Sequence, residues 1–191
     1  MIDQLDERLN KALERLLDPN LLGARGIGNE IPFHIFDYPP ERELRVRERI
    51  DILIRDIGRN RPDLCVVHIN LFEMVIDYLE QRGLLNKAMA LQLSKGDAAL
   101  HSALAAPLQT QRLADIFVAQ ADPKSHDLVL LSGVGSAYPL VRSHNLLNGL
   151  QAVMGETPLV MFFPGRYDGQ SLRLFDRVQD ENYYRAFRLV P

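Results

Sequence analysis

The stretch 127-DLVLLSGVGSAYPLVRSHNLLNGLQAVMGETPLVMFFPGRYDG-169 decides the fold class of this 191-residue chain. Its apolar run at 128–131 is too short for a globular helix and is typical of a buried strand. A turn with two glycines follows. Residues 139–154 then carry leucines at helical spacing up to Gly155, a residue type that often follows a helix end. Residues 159–163 predict a second buried strand, closed by Pro164 and Gly165.

A strand, a helix and a second strand in this order form a βαβ unit, which predicts a parallel sheet with helices on its faces. The flanking sequence extends the unit with helices at 2–17 and 41–58, a glycine-bearing connector at 21–30, strands at 31–36 and 64–70, and a helical crossover at 71–120. Two alternating runs, 171–175 and 183–190, predict an antiparallel hairpin.

We therefore predict one α/β domain over residues 1–191. It has a three-layer, Rossmann-like or P-loop-like, mostly parallel sheet flanked by helices and a C-terminal antiparallel edge hairpin. Residues 1–20 form an N-terminal helix in this prediction, and residues 71–120 form the crossover.

The composition is that of an ordinary globular protein, with 47% apolar and 25% charged residues. The net charge of −3 argues against a protein built mainly to grip nucleic acid. A single cysteine, Cys65, excludes an internal disulfide and favours a reducing compartment. We predict that Cys65 is core filler inside an apolar strand, and that the protein is cytoplasmic, because no secretion signal and no apolar run of about 18 residues occurs.

Three phrases in the last third of the chain resemble the BrxB family: GVGSAYPLVRSHNLLNGLQ (133–151), PLVMFFPGRYDGQSLRLF (158–175) and NYYRAFRLV (182–190). The resemblance implies a small accessory component of BREX, the bacteriophage-exclusion systems of bacteria and archaea. It implies other BREX proteins as partners, namely the phosphatase-like PglZ protein, the large BrxC ATPase and the methyltransferase subunit. It carries over no catalytic motif.

The turn formed by Gly133, Gly135 and Ser136 is a candidate for binding an anion or a nucleotide, because it follows a buried strand. A phosphate loop needs a lysine, and none occurs after residue 124. A dinucleotide fingerprint needs a third glycine where Tyr138 stands. A structural turn or a partner surface is the favoured interpretation, and a degenerate nucleotide-binding protein is the alternative.

Hydrolysis is a second alternative, since Ser132 or Ser136 could pair with His144 or His126. Asp37 or Asp168 could then orient the histidine. His68, inside an apolar strand, is predicted to be a satisfied core histidine. The five histidines have no metal-ligand spacing, so we predict no metal and no cofactor.

Arginine and tyrosine, which are enriched at binding hot spots, crowd the C-terminal segment. The partner-binding candidates are Arg166, Tyr167, Arg173, Tyr183, Tyr184, Arg185 and Arg188. A solvated sheet edge is the alternative interpretation of this cluster. The arginines of residues 41–58 alternate with acids at helical spacing, which favours a surface of ion pairs over direct DNA binding. We expect a non-catalytic adaptor rather than an enzyme.

Overall fold

The computed structural model describes residues 4–23, 33–179 and 186–191. The helices are α1 (Gln4–Leu16), α2 (Pro19–Leu22), α3 (Glu43–Asn60), α4 (Leu71–Gln81), α5 (Leu85–Lys95), α6 (Asp97–Leu104), α7 (Thr110–Ala121), α8 (Val134–Ala137) and α9 (Ser143–Gln151), with short 3-10 turns at Pro40–Arg42 and Pro123–Ser125. The strands are β1 (Phe33–Tyr38), β2 (Val66–Asn70), β3 (Leu128–Ser132), β4 (Leu159–Tyr167), β5 (Leu172–Leu174), β6 (Val178–Gln179) and β7 (Phe187–Arg188). The predicted connector from residue 24 onward and residues 31–32 of the first predicted strand lie outside the described residues.

The main sheet is parallel, with the order β2-β3-β4-β1-β7. Ile35 of β1 lies opposite Met161 of β4, which in turn lies opposite Leu131 of β3. Strands β1 and β3 are buried along their whole length. A parallel strand covered on both faces is a near-continuous apolar run, as the sequence shows here. The predicted mostly parallel α/β sheet flanked by helices is confirmed.

The two faces of the sheet carry separate cores. On one face, apolar residues of α1 and α3 pack against Leu130, Val160 and Phe162. On the other face, helices α4 to α9 pack against Met161 and Phe163. Alternate side chains of β4 therefore point to opposite cores, as strand geometry requires. The connection after β1 runs through the layer of α1 and α3, and the connections after β2 and β3 run through the layer of α4 to α9.

The helix predicted over 139–154 is shorter than expected. Helix α8 follows Gly133 at once, Tyr138 then has an extended backbone (φ −71°, ψ 140°), and α9 begins only at Ser143. Pro139 accounts for the end of α8, because a proline disfavours helical angles in the residue before it, and residues 139–142 then form a turn before α9.

The C-terminal segment contains antiparallel edge strands, as predicted, but their pairing differs. Strand β4 does not close at Pro164 and continues to Tyr167, where it pairs antiparallel with β5, and β5 pairs with β6. The described end of the predicted 183–190 strand, β7, does not pair with 171–175, since it pairs parallel with β1 at the other side of the sheet. Gly165 allows this, because a side chain there would collide with the Arg173 carbonyl. Within the described ranges, no helix is long and apolar enough to cross a membrane.

Candidate functional site

The carboxyl ends of the parallel strands are where open α/β sheets bind ligands, especially where the helical connections change faces. In this protein the change occurs beside β1, because α3 packs on one face and α8 and α9 pack on the other. Two places follow from this geometry. One is the twin-glycine turn after β3, and the other is a pocket beside the end of β1.

Both glycines of the turn are packed against protein groups. Gly133 has a positive φ of 72°, and a side chain there would collide with the amide oxygen of Asn70. That oxygen caps α4 by accepting bonds from the N–H groups of its first turn. A Cβ on Gly135 would lie 2.8 Å from Pro164 and 2.9 Å from Phe175. The glycines therefore permit close packing of the chain on itself.

The hydroxyl of Ser136 belongs to a chain of hydrogen bonds between the two helical layers. Arg47 of α3 donates from Nη2 to Ser136 Oγ at 2.7 Å and from Nε to Glu43 Oε1 at 2.7 Å. The Tyr38 hydroxyl donates to Glu43 Oε2 at 2.6 Å. Burial, and then Glu43, raise the pKa of Tyr38 far above its ordinary value. These bonds tie the end of β1 to α8 across the end of β4.

Two residues of the hydrolytic alternative have other partners in the structure. Ser132 Oγ is 2.8 Å from Nε2 of His68, not of His126 or His144. Ser132 is only 4% exposed, and burial lowers the pKa of His68. His126 Nδ1 lies 3.0 Å from the Asp122 carbonyl oxygen. Sequence reasoning missed the Ser132–His68 pair, because it depends on the register of β2 against β3.

The two candidate acids accept hydrogen bonds from other groups of the chain. Asp168 accepts bonds from the N–H groups of Gln170 and Ser171 in its own turn. The Ser171 N–H is the main reason that the pKa of Asp168 falls to about 2. Asp37 accepts a bond from Arg8 at 2.7 Å and another from the Tyr167 N–H at 3.0 Å. The two acids therefore stabilise a turn and a strand end.

The second place is a pocket of about 460 Å³ between α1 and the ends of β1, β4 and β7. The charged residues that line it are Arg8, Arg42, Arg166, Arg188, Asp37 and Glu41. Arg8 forms its floor: besides Asp37 Oδ1, it donates to the carbonyl oxygens of Asp37 at 2.7 Å and Val190 at 3.3 Å. Its guanidinium also lies 4.9 Å from the centre of the Phe36 ring.

Arginines line the rim of the pocket. Arg188 donates to the neutral carbonyl of Tyr167. Arg166 is exposed, and its Nε lies 3.7 Å from Asp176. Arg173 of β5 is opposite Arg166 in the antiparallel pair, and its Nη2 donates to Gln179 at 3.3 Å. We name Arg166, Arg173 and Arg188 the arginine row.

The predicted partner-binding residues divide into three groups. The arginine row is at the surface or at the pocket rim. Tyr167 is a correction: its side chain is fully buried, and its hydroxyl donates to the Ala186 carbonyl at 2.8 Å, because the strand continues into the core there. Tyr183, Tyr184 and Arg185 lie outside the described residues. Sequence reasoning missed Arg8 and Arg42, which reach the pocket from distant parts of the chain.

The structure also gives the environments of Cys65 and His68. Cys65 is exposed and precedes β2, so its assignment to the core is wrong. Its N–H donates to Asp127, which holds it at the strand entrance. His68 is half-buried, with Ser132 as its partner. The residues that the structure describes include no cluster of three or more metal-ligating side chains.

Several arginines of α3 form ion pairs with neighbouring acidic side chains, as the spacing of charges in the sequence predicts. Arg45 bonds to Asp6 of α1, and Arg49 donates to Asn10 of α1 at 2.8 Å. Arg59 lies 3.5 Å from Asp56 on the same helix. These contacts join α3 to α1 as well as neutralising charge.

Fold and site together define a small α/β protein with an open, mostly parallel sheet and an arginine-lined pocket beside its carboxyl edge. The chain belongs to the BrxB family, since residues 67–189 match the family model described as BREX protein BrxB. It is therefore a component of BREX phage defence.

Two curated relatives extend the match over the whole chain. The BREX protein BrxB of Escherichia coli O9:H4 (strain HS) is 42% identical, covering 100% of this chain and 94% of the relative. That of Bacillus cereus (strain H3081.97) is 38% identical, covering 98% of each. No solved structure matches the chain significantly.

Proposed function

We propose that the protein is a non-catalytic adaptor that binds other proteins of its BREX complex. The packing of the twin-glycine turn carries this proposal. At the place where a related fold would hold a nucleotide, Gly133 and Gly135 instead contact Asn70, Pro164 and Phe175. The hydroxyl of Ser136 is bonded to Arg47. The most conspicuous motif of the sequence thus has a structural explanation.

The proposed partners are the PglZ protein, the BrxC ATPase and the methyltransferase subunit, all in the cytoplasm. Membership of the BrxB family supports partners from within BREX. Exposed arginines beside a pocket support recognition of a protein surface, because arginine is enriched in interfaces. We propose that the adaptor needs no cofactor.

The test is a double substitution, Ser136→Ala with His144→Ala, in cells that carry the whole BREX gene cluster. The adaptor proposal expects the tagged double variant to co-purify with its partners as the unmodified chain does, and phage plating to stay equally restricted. Loss of restriction with an intact complex would indicate chemistry at this turn and contradict the proposal.

The hydrolytic alternative has one observation in its favour, the 2.8 Å contact between Ser132 Oγ and His68 Nε2. A serine bonded to a histidine is the first part of a nucleophile–base arrangement. Ser132→Ala tests it. We expect normal restriction and complex assembly, because Ser132 is buried. Loss of restriction by an assembled complex would favour the alternative.

A further inference from the structure

We propose that the pocket beside β1 and the adjoining arginine row bind an acidic peptide segment of a partner protein, in extended form. The proposal rests on the adaptor function and assigns it a surface and a ligand chemistry. Guanidinium groups recognise carboxylates by charge-assisted hydrogen bonds, often two at a time. Aspartate and glutamate side chains are therefore the groups that this surface would select.

The charges of the pocket leave an excess of positive charge. Asp37 is already satisfied, since one carboxylate oxygen accepts from Arg8 and the other from the Tyr167 N–H. Arg188 bonds a neutral carbonyl, so its charge is not compensated by that contact. Among the described residues, Arg166 is paired with Asp176, whose carboxylate lies 3.7 Å from Nε, and 73% of the arginine side chain is accessible. An anionic ligand would supply the missing charge.

A second observation points to the same ligand. Arg166 and Arg173 stand directly opposite each other on adjacent antiparallel strands. Opposed residues of such a pair have Cβ atoms about 5 Å apart, and like charges there destabilise a sheet. The fold therefore places two positive charges next to each other at its surface, where they repel. A carboxylate placed between the two guanidinium groups would convert the repulsion into two attractive contacts.

The dimensions suit a short extended peptide. The row begins on β7, continues on β4 and ends on β5, and β1 lies between β7 and β4. The guanidinium of Arg188 reaches the carbonyl of Tyr167, the residue after Arg166, and Arg173 lies one strand spacing of about 4.8 Å from Arg166, so the row has the length of a few extended residues. The pocket at one end of the row could receive one side chain of the peptide, and the arginine row could bind the side chains that follow it.

Phosphate and nucleic acid fit the surface less well. Protein sites for phosphate commonly offer successive backbone N–H groups, whereas Pro39 and Pro191 in this lining have none. Single-stranded nucleic acid stacks its bases on aromatic rings. Among the described residues that line the pocket, none is aromatic. A peptide with side-chain carboxylates needs neither feature.

The test uses the purified full chain and fluorescein-labelled octaglutamate, followed by fluorescence anisotropy at about 50 mM salt. We expect saturable binding that weakens at least about tenfold in the double variant Arg166→Gln/Arg173→Gln. The matched control is Arg59→Gln/Arg61→Gln, which removes the same charge from the end of α3. We expect unchanged affinity in the control.

Folding is monitored in the same samples. Both arginines of the test pair are exposed, so we expect the substitutions to leave the fold intact. The melting temperature of the test variant should equal or exceed that of the unmodified chain, because a repulsive pair has been removed. Octaglutamate should raise the melting temperature of the unmodified chain and of the control, but not of the test variant.

Three outcomes would overturn the proposal: no binding of octaglutamate, equal weakening in the control, or tighter binding of an oligothymidylate of the same length. Competition by inorganic phosphate at equal concentration would likewise assign the pocket to phosphate. These results are separable from failure of the adaptor function. If the complex assembles in cells although octaglutamate does not bind, the pocket assignment alone fails. If the unmodified chain captures no BREX protein, the adaptor proposal itself fails.

Discussion

Arg8 of α1 donates to the carboxylate of Asp37 at the end of β1 at 2.7 Å, over a sequence separation of 29 residues. The side chains are only 19% and 12% exposed. The contact fastens the N-terminal helix to the sheet and forms the floor of the arginine-lined pocket. Because Asp37 also accepts the Tyr167 N–H, three segments of the chain meet at one carboxylate.

Replacing Asp37 by alanine should lower the free energy of unfolding by about 3 kcal/mol, because it leaves the charge of a mostly buried guanidinium without a carboxylate and a buried N–H without its acceptor. Urea denaturation measures the change. The control is Asp56→Ala, which removes the partner of the exposed Arg59 and should cost less than about 1 kcal/mol. Equal costs would show that the Arg8–Asp37 pair is no more important than a surface pair.

Gly133→Ala should destabilise the protein by at least about 2 kcal/mol. The substitution forces a side chain into a left-handed conformation and into Asn70, the cap of α4. Gly58→Ala is the matched control. Gly58 lies in α3 with open space where the new methyl group would be, so this variant should be more stable by about 0.5–1 kcal/mol. Thermal melts compare the two, and a harmless Gly133→Ala would contradict the packed turn.

Stability should fall as the pH drops from 6.5 towards 4, in part through His34. Burial, and then Arg15, lower the pKa of this histidine from 6.5 to about 4. The unfolded chain therefore takes up the proton first, so the contribution of His34 is intact above pH 6.5 and is lost progressively below it. At about 1.4 kcal/mol per pKa unit, the loss amounts to up to about 3 kcal/mol.

The variant His34→Phe tests this, because it keeps an aromatic ring beside Phe187, whose ring centre lies 5.6 Å away, and removes the titrating group. Urea unfolding at several pH values should give a flatter profile for the variant than for the unmodified chain. His68 titrates in the same direction and is present in both proteins, so it cancels in the comparison. Parallel profiles would contradict the assignment to His34.

The arginines of α3 should give no strong binding to duplex DNA. Arg45 and Arg47 are bonded to carboxylates of the same chain, and binding phosphates would require these ion pairs to break. A titration at about 50 and about 200 mM salt measures this. Binding that weakens by roughly a thousandfold or more between them would reveal several phosphate contacts and contradict the expectation.

The pattern of apolar residues along the chain was enough to predict the elements of the βαβ unit and the parallel sheet. Runs such as 128–131 and 159–163 have apolar residues at consecutive positions, so both faces of the strand are apolar. This pattern is typical of a strand that is covered by helices on both sides. The same pattern predicts a helix from Pro139, whereas the structure ends α8 before Tyr138 and begins α9 at Ser143. The proline explains the end of α8, since it disfavours helical angles at Tyr138.

The pairing of the C-terminal strands could not be predicted from adjacency. The runs 171–175 and 183–190 have the alternation of a hairpin, yet β5 returns to β4 and β7 crosses to β1. Both choices depend on which sheet edges are open, and that is a property of the assembled sheet. The burial of Tyr167 and the exposure of Cys65 follow from the same assembly.

By itself, then, the sequence determined the fold class, the two-sided burial of the central strands, and the family, because these depend on composition and on order along the chain. Tertiary structure alone decided the site. Arg8, Arg42, Arg166 and Arg188 come from four separate segments, and Ser132 meets His68 only through strand register. Side chains far apart in sequence become neighbours only when the strands assemble into the sheet. The positive charge that they bring together at the pocket therefore cannot be inferred from any one segment of the sequence.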